Sequence, residues 1–226
     1  MLETTSKVFN GSASVRFSRV LSDEVSVDAK LPSDVVLHRD QDVIVCPTLG
    51  SFLPYWYLII PTQHYMNFAD WESASNERSV YRRINSLVRD VLGDVDNYIW
   101  FEHGPTSKGS ITGCGVDHAH IHVILDCDFG TREILRAATE LGVDNWEQSD
   151  FNCVFRNRID SGEYLAFGDS KTGFSKKLLK PVGSQFFRRA LAHLDGKRTD
   201  WDYKEFAHQQ IAQQSVDRIF NNRVSG

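Results

Sequence analysis

The chain has 226 residues, of which 41% are hydrophobic and 24% are charged, and its formal net charge is -5. The length suits one well-filled domain or one domain with a substantial extension, and the composition excludes disordered, collagen-like and disulfide-scaffold proteins. The acidic balance argues against bulk nucleic-acid binding, and no apolar stretch approaches the roughly 20 residues that cross a bilayer, so we expect a cytoplasmic protein without a membrane partner.

The first part of the chain predicts an arm, two strands and a helix. Residues 1–30 alternate weakly and are rich in serine, which favours a loose arm or one edge strand. The β-branched and aromatic runs at 42–47 and 55–61 both end at proline and predict strands. Apolar residues at helical spacing over 80–91 predict a helix with an N-cap near Ser75.

The next segments mix strands and helices without a strict βαβ rhythm. Residues 97–104 predict a strand, and 131–141 predict a short helix. Two runs at 151–156 and 163–168 are typical of a returning hairpin. Residues 185–194 place their apolar side chains on one stripe, which predicts another helix.

A final helix is predicted over roughly 203–220. The interspersed elements favour an α+β fold with a mostly antiparallel sheet. We expect three parts: the N-terminal arm, a core over 31–128 and a C-terminal α/β extension over 129–226 that packs on the core.

Three histidines alternate with apolar residues in the run DHAHIHVILD at 117–126. Alternate side chains of a β-strand share a face, so His118, His120 and His122 are predicted to project together while their apolar neighbours pack on the other side. An imidazole can donate, accept, attack or bind a metal near neutral pH. The row is therefore predicted to be a functional site.

Two chemistries are open to such a row. Two of its histidines could share one zinc ion, although the outer members lie about 13 Å apart, too far for all three to bind one ion. Alternatively, a neutral imidazole attacks phosphorus while its neighbours stabilise the transition state. The loop before the row contains Gly113 and Gly115, which can bring backbone amides close to a phosphate and so favour the second chemistry.

The segment HAHIHVI resembles the signature of the histidine triad (HIT) superfamily of nucleotidyl hydrolases and transferases. The segment DVIVCPTLGSFLPYWYLIIPTQH resembles the first hairpin of that family, and FEHGP resembles the strand end that brings a polar side chain toward the phosphates. These pieces lie in the family's order over residues 35–128. The resemblance implies a HIT-like fold, a mostly antiparallel sheet with flanking helices, for the catalytic core.

By this resemblance the chain hydrolyses or transfers a nucleotidyl group by attack on the α-phosphate. His120 would be the nucleophile and form a covalent nucleotidyl-histidine, His122 would contact phosphate oxygens, and His118 would support the site. The implied substrates are dinucleoside polyphosphates, nucleoside phosphoramidates or nucleotide sugars, with no metal or other cofactor required. The expected partner is this small-molecule nucleotide, and a homodimer is a further expectation from the family.

The remaining expected site residues form three groups. The expected phosphate contacts are Gly113, Cys114, Gly115, Glu102 and His103. The expected wall of the nucleoside pocket includes Val45, Leu58 and Ile60. Gln185 and Arg188, at the start of the helix at 185–194, are expected to add a phosphate contact, because the helix dipole and the guanidinium both attract anions.

Three positions depart from the family pattern. Cys114 and Gly115 stand where many members have glutamine and a hydroxyl residue, and Trp56 stands where members often have histidine. These departures motivate a second hypothesis, a catalytically weak nucleotide-binding sensor or scaffold. A third hypothesis is a zinc-dependent hydrolase that uses an HxH pair of the row.

Overall fold

A computed structural model describes residues 13–22, 31–75, 80–93 and 97–224 of the chain. The strands are β1 His38–Arg39, β2 Val43–Pro47, β3 Trp56–Pro61, β4 Tyr98–Gly104, β5 Ile121–Leu125, β6 Glu147–Asp150, β7 Tyr164–Gly168 and β8 Thr172–Lys177. They form one sheet in the order β1-β2-β3-β5-β4-β7-β8-β6. Each neighbouring pair is antiparallel.

Helices lie on both sides of this sheet. They are α1 Ala13–Ser22, α2 Phe68–Ala74, α3 Val80–Asp90, α4 Thr131–Glu140, α5 Phe151–Val154, α6 Phe186–Leu194 and α7 Gln209–Val224, with short 3-10 turns at Pro32–Asp34 and Arg156–Arg158. Among the described helices, none combines the length and the apolar composition that crossing a bilayer requires.

Side chains that alternate along the strands divide the sheet into two faces. On the first face, Tyr57, Ile59 and Trp100 are buried beneath residues of α2, α3, α5 and α7. Helix α3 contributes an apolar stripe to this core, because its buried residues Val80, Ile84, Leu87 and Val88 recur at helical spacing. This face holds the larger core of the protein.

The second face carries two smaller apolar clusters. One joins Trp56 and Phe101 to α4 and α6. The other joins Leu58 and Ile60 to Phe17 and its neighbours in α1. The candidate site lies where these two clusters meet, between α1 and α6.

The predicted α+β fold with a mostly antiparallel sheet is confirmed. The strands expected at 42–47, 55–61, 97–104 and 163–168 are β2, β3, β4 and β7. The helices expected at 80–91, 131–141 and 185–194 are α3, α4 and α6. Ser75, however, ends α2, and residues 76–79 before α3 lie outside the described part.

The hairpin predicted at 151–156 and 163–168 is wrong. Helix α5 occupies Phe151–Val154 and a 3-10 turn occupies Arg156–Arg158, and β7 pairs with β8 and β4 instead. The helical turn lets both Phe151 and Phe155 enter the first core, where the ring of Phe151 stacks on Trp100 with 4.3 Å between centroids. In a strand these two residues would also share a face, so spacing alone does not separate the two structures.

Two predictions near the chain ends are also corrected. Within residues 1–30, the described part 13–22 is helix α1 and not an arm or edge strand, while the remainder lies outside the described residues. The last helix begins at Gln209 and not near 203.

Beyond residue 128, strands β6, β7 and β8 continue the sheet through the pairing of β7 with β4. The predicted boundary between core and extension therefore falls inside one sheet.

Candidate active site

The histidine row lies at the start of β5. Only His122 belongs to the paired strand, opposite Leu58 of β3, while His118 and His120 precede its first residue. The backbone of this preceding segment is held where the amide of Ala119 donates to the carbonyl of Tyr65 at 2.7 Å. The predicted single strand is therefore shorter than expected, and its first two histidines lie in the connection that leads into it.

His120 is half-buried and lines a cavity on the second face of the sheet. Its Nδ1 lies 2.9 Å from the carbonyl oxygen of His118. A carbonyl can only accept, so in the neutral ring Nδ1 carries the proton and Nε2 carries the lone pair. The carbonyl of His118 therefore fixes the tautomer of His120.

His122 is buried and lines the same cavity. Its Nδ1 accepts a hydrogen bond from the indole Nε1 of Trp56 at 3.0 Å. The ring stacks on Phe101, with centroids 4.4 Å apart and planes 15° from parallel. Its orientation is thus set from two strands, β3 and β4.

His118 points away from the cavity lining. Its Nε2 lies 2.7 Å from the carbonyl of Pro61, at the end of β3, and its ring contacts His64 edge-on. Burial lowers the pKa of His118, the hydrogen bond to Pro61 partly opposes this, and His64 lowers the pKa further. The supporting role that the resemblance implies for His118 stays a prediction.

A fourth imidazole, His103 at the end of β4, lines the cavity beside the row. Its Nε2 accepts from the backbone amide of Phe187 in the first turn of α6, at 3.4 Å. Burial is the main cause that lowers the pKa of His103 to about 3, and the nearby charges of His120 and Arg188 add to it. His103 is therefore neutral at physiological pH.

The cavity itself is small and covered. Its volume is about 40 Å³, room for a few water molecules and far below the roughly 300–1,000 Å³ of ligand pockets. The ring of Phe17 from α1 lies edge-on to His120, with centroids 5.0 Å apart. Arg39 holds the end of α1 by donating to the carbonyls of Val20 and Leu21 at 2.5 and 3.2 Å. Sequence reasoning missed this cover, although the pairing of Phe17 with Val20 at helical spacing was a signal.

The loop before the histidine row contributes the side chains of Cys114 and Val116 to the cavity. Cys114 lines it, with φ of 58° and its Sγ accepting from the amide of Gln185 at 2.9 Å. Burial raises the pKa of the Cys114 thiol, and the Gln185 amide partly opposes this. Gly113 packs against Pro105 and Gly115 is exposed, and neither lines the cavity.

The phosphate contact expected of Glu102 is wrong. Glu102 projects from β4 to the first face, where it accepts from the amide of Phe68 and the hydroxyl of Tyr164, each at 2.6 Å. Burial raises the pKa of Glu102 to about 8. Val45 likewise lies in the core of the first face, so it cannot wall a pocket on the second.

The two other residues expected in the nucleoside wall do lie on the second face. Leu58 lines the cavity, and Ile60 belongs to the same apolar cluster beneath α1 without lining the cavity. The alternation of residues along β3 explains the split, because Leu58 and Ile60 share a face that the neighbouring Val45 of β2 does not.

Gln185 and Arg188 line the cavity but their polar groups are engaged by the protein. Arg188 is buried and donates to the carbonyls of Leu49 and Gly50 and to the hydroxyl of Thr48. The side chain of Gln185 donates to Asp202 at 2.8 Å. Arg188 thus fastens α6 to the β2–β3 loop, whereas Gln185 fastens the start of α6 to the segment at Asp202. The phosphate contacts expected of these two residues stay predictions.

Arg188 nevertheless brings a positive charge next to the site. Its guanidinium lies 4.6 Å from the ring centroid of Trp56 and 5.4 Å from that of Tyr203.

Within the described ranges, no group of three or more His, Cys, Asp or Glu side chains is arranged to hold a metal ion.

Comparisons with known proteins find similarity at the level of structure. No protein-family model matches the chain, and no curated protein matches it. Among solved structures it is similar to a HIT family hydrolase from Clostridium thermocellum, with 22% identity over 50% of this chain and 91% of that chain, at a TM-score of 0.34.

Two further solved structures are similar over the same share of this chain. One is a Hit-like protein involved in cell-cycle regulation from Bartonella henselae, at 18% identity, with 50% of this chain and 75% of that chain covered and a TM-score of 0.33. The other is a histidine triad protein from Clostridium difficile, at 19% identity, with 50% and 90% covered and a TM-score of 0.35. Each of the three similarities covers 50% of this chain.

Proposed function

We propose that this chain is a nucleotidyl hydrolase or nucleotidyltransferase of the HIT type that works through a covalent nucleotidyl-histidine on His120. The observation that carries the proposal is the 2.9 Å hydrogen bond between Nδ1 of His120 and the carbonyl of His118. It leaves the lone pair of the neutral ring on Nε2, in a residue that lines the cavity. A neutral imidazole whose lone pair is fixed on one defined nitrogen is suited to attack phosphorus.

The proposed reaction has two displacements. In the first, Nε2 of His120 forms a bond to the α-phosphorus as the bond from phosphorus to the leaving group breaks, and the leaving group keeps the electron pair. The nucleotidylated ring is cationic, and the carbonyl of His118 stabilises it through the Nδ1 proton. In the second, the oxygen of water or of another acceptor forms a bond to phosphorus and releases its proton to solvent. The bond from phosphorus to Nε2 breaks at the same time, and its electron pair returns to Nε2, so that His120 is neutral again.

Neighbouring groups support the charge that develops on the phosphate oxygens. His122 and His103 are neutral imidazoles that line the cavity, and each accepts on one ring nitrogen and carries its proton on the other. Arg188 adds a positive charge that lies over Trp56. Donors fixed before the reaction stabilise a transition state without reorganising. The step as written uses groups of this chain and requires no metal or cofactor.

Substrate entry requires α1 to move. The cavity of about 40 Å³ is smaller than a nucleotide, and Phe17 is the side chain that covers His120. When α1 shifts, the apolar surface of Leu58 and Val116 beneath it is exposed beside the histidines. This surface is suited to a nucleoside, with dinucleoside polyphosphates, nucleoside phosphoramidates and nucleotide sugars as candidate substrates.

The test is a search for the covalent intermediate. The full chain is incubated with a dinucleoside polyphosphate labelled on the α-phosphate and quenched in base, which preserves a phosphoramidate. We expect the label to remain on the protein and to be released by acid. The His120→Ala variant should carry no label, because the attacking nitrogen is gone.

The matched control is His193→Ala. His193 is a partly exposed histidine that pairs with Glu140 on the outer helices, so its loss should leave the label unchanged. If the wild-type chain and the Phe17→Ala variant both fail to hydrolyse the substrate and to retain label, the proposal is overturned.

The second candidate is a nucleotide-binding sensor without turnover. The observation that favours it is the seating of Phe17 against His120, which keeps the site covered. Calorimetric titration with a nucleoside monophosphate distinguishes the two, because a sensor would bind the nucleotide while no label is retained and no substrate is hydrolysed. A homodimer and a cytoplasmic location, both expected from the sequence, stay predictions.

A further inference from the structure

Trp56 and His122 form the only indole-to-imidazole hydrogen bond among the described residues, and it lies inside the candidate site. The indole Nε1 donates to Nδ1 of His122 at 3.0 Å, and both side chains are buried. The two residues lie on adjacent strands, since Trp56 is opposite Ile124 and His122 is opposite Leu58. The contact is therefore built into the sheet.

This contact determines which nitrogen of His122 carries the proton. An indole N–H can donate but cannot accept, so Nδ1 must present its lone pair and the proton of the neutral ring must be on Nε2. An imidazolium has no lone pair to offer. His122 could become cationic only by breaking the hydrogen bond from Trp56 and leaving a buried donor unpaired.

His103 has the same constraint from a different element. Its Nε2 accepts from the backbone amide of Phe187, and an amide N–H is also a donor only. Both imidazoles that accompany His120 in the cavity lining thus accept hydrogen bonds from groups that can only donate. Neither can become an imidazolium without losing that hydrogen bond, so neither is suited to deliver a proton to a leaving group.

The charged surroundings act in the same direction. The guanidinium of Arg188 lies over the Trp56 ring, and Arg188 lines the same cavity as His122. A positive charge in that cavity disfavours protonation of the imidazoles around it. His118 contacts the carbonyl of Pro61 and does not line the cavity. The titratable and charged side chains that line the cavity with His122 are His120, His103, Cys114, Tyr203 and Arg188.

Leaving groups differ in their need for a proton. When a phosphoanhydride is attacked, the bond from phosphorus to oxygen breaks and the phosphate that leaves keeps the electron pair as a stable anion. When a phosphoramidate is attacked, the bond from phosphorus to nitrogen breaks, and the nitrogen must take up a proton to leave as an amine. General acid catalysis of such a step is worth about 100-fold or more.

We propose that Trp56 is a positioning residue that holds His122 as a neutral hydrogen-bond donor, and that the site therefore acts on phosphoanhydrides in preference to phosphoramidates. The substrate preference rests on the proposed function, whereas the state of His122 does not. Among the substrate classes that the sequence leaves open, nucleoside phosphoramidates are therefore disfavoured. The positioning role gives a chemical meaning to the tryptophan at position 56, where the family often has histidine.

The first experiment measures the proton position directly. Nitrogen NMR of the full chain labelled at histidine, without substrate and between about pH 5 and 8, should show His122 protonated at Nε2 and unprotonated at Nδ1 throughout. In Trp56→Phe the ring should lose this fixed tautomer and take up a proton at a higher pH than in the wild type. The control is Trp146→Phe, which removes an indole donor to the carbonyl of Val143 in the same apolar cluster without touching His122.

The second experiment compares a dinucleoside polyphosphate with a nucleoside phosphoramidate of the same base. We expect kcat/KM to favour the polyphosphate by about 100-fold or more. In Trp56→Phe and Trp56→His this preference should narrow by about tenfold, because His122 can then carry a proton to the amine, while Trp146→Phe should keep it.

A His122 ring protonated at Nδ1, or cationic near neutral pH, in the wild type would overturn the positioning role. An equal or greater kcat/KM for the phosphoramidate would overturn the substrate preference. If neither the wild-type chain nor the Phe17→Ala variant turns over either substrate or retains label, the proposed function fails and the preference with it, but the NMR result still decides the role of Trp56. The wild-type spectrum decides it even if the Trp56 variants do not fold.

Discussion

The ring of Phe17 lies edge-on to the ring of His120, with 5.0 Å between the two centroids. Phe17 comes from α1 and His120 from the connection into β5, so the contact joins the N-terminal helix to the proposed nucleophile. The side chain of Phe17 is only 5% exposed, and it also packs on Leu58 and Val116. Helix α1 thus occupies the apolar surface on which we propose the nucleoside binds.

Replacing Phe17 with alanine should open the site. The change removes an aromatic ring from the cover, so a nucleotide can enter without displacing the helix, and we expect kcat/KM to rise about tenfold, as for removal of about 1.4 kcal/mol from the barrier. Steady-state kinetics with a dinucleoside polyphosphate measure this. The control is Arg19→Ala on the exposed side of the same helix, and a higher KM in Phe17→Ala would instead show that the ring contacts the bound substrate.

Arg188 ties α6 to the loop between β2 and β3. Its guanidinium donates to Thr48, Leu49 and Gly50 while it is almost fully buried. An ammonium group cannot reproduce this planar fork. We therefore expect Arg188→Lys to lower the free energy of unfolding by about 2 kcal/mol, measured by urea denaturation.

The neighbouring arginine supplies the control for that change. Arg189 is half-buried and donates to the carbonyl of Val182. Because it makes one such bond where Arg188 makes three, Arg189→Lys should lower the free energy of unfolding by about 0.5 kcal/mol. Equal decreases in the free energy of unfolding for the two variants would show that the hydrogen bonds from the Arg188 guanidinium to the loop do not account for its stabilising effect.

Local pattern predicted much of the fold. The strands β2 and β3 were evident from β-branched runs that end at proline, because both are buried along their whole length. The helices α3 and α4 were evident from the helical spacing of their apolar residues, because each buries one stripe. The histidine row was evident from its alternation with apolar residues. His120 and His122 both line the cavity. Of the three residues expected from the loop, Cys114 lines it with them, whereas Gly113 and Gly115 do not.

Contacts distant in sequence could not be predicted in this way. The cover by Phe17 joins residues about a hundred positions apart, and the contact of Gln185 with Cys114 in the loop joins residues 71 positions apart. Glu102 and His103 are adjacent in one strand, so they point to opposite faces, and only the packing of α6 shows which of them meets the cavity. The helical turn at Phe151 was missed because strand and helix spacing agree over so short a run.

Glu102 should make stability depend on pH. Burial raises its pKa in the folded chain to about 8 from an ordinary value of 4.5. Between these two values the folded chain keeps a proton that the unfolded chain releases, so the stability contributed by Glu102 is present below about pH 4.5 and is lost as the pH rises to about 8. Glu102→Gln removes this dependence, because the amide does not titrate and can still accept from the amide of Phe68.

Urea denaturation at several pH values checks this expectation. The stability of Glu102→Gln relative to the wild type should increase as the pH rises through that window. The control is Glu205→Gln, a change at an exposed position, whose difference from the wild type should not vary with pH in this way. A constant difference for Glu102→Gln would mean that Glu102 is ionised in the folded protein.

His103 should produce a dependence of the opposite sign. Burial and the charges of His120 and Arg188 lower its pKa to about 3 from an ordinary value of 6.5. The unfolded chain therefore binds a proton between these values that the folded chain does not, so stability is complete above about pH 6.5 and is lost as the pH falls toward 3. His103→Gln should remove a slope of about 1.4 kcal/mol per pH unit in that window, while the partly exposed His193→Gln should leave it in place. Urea denaturation of the three proteins at about pH 5 and 7 measures the slope, and an unchanged slope in His103→Gln would mean that His103 takes up a proton inside the folded site.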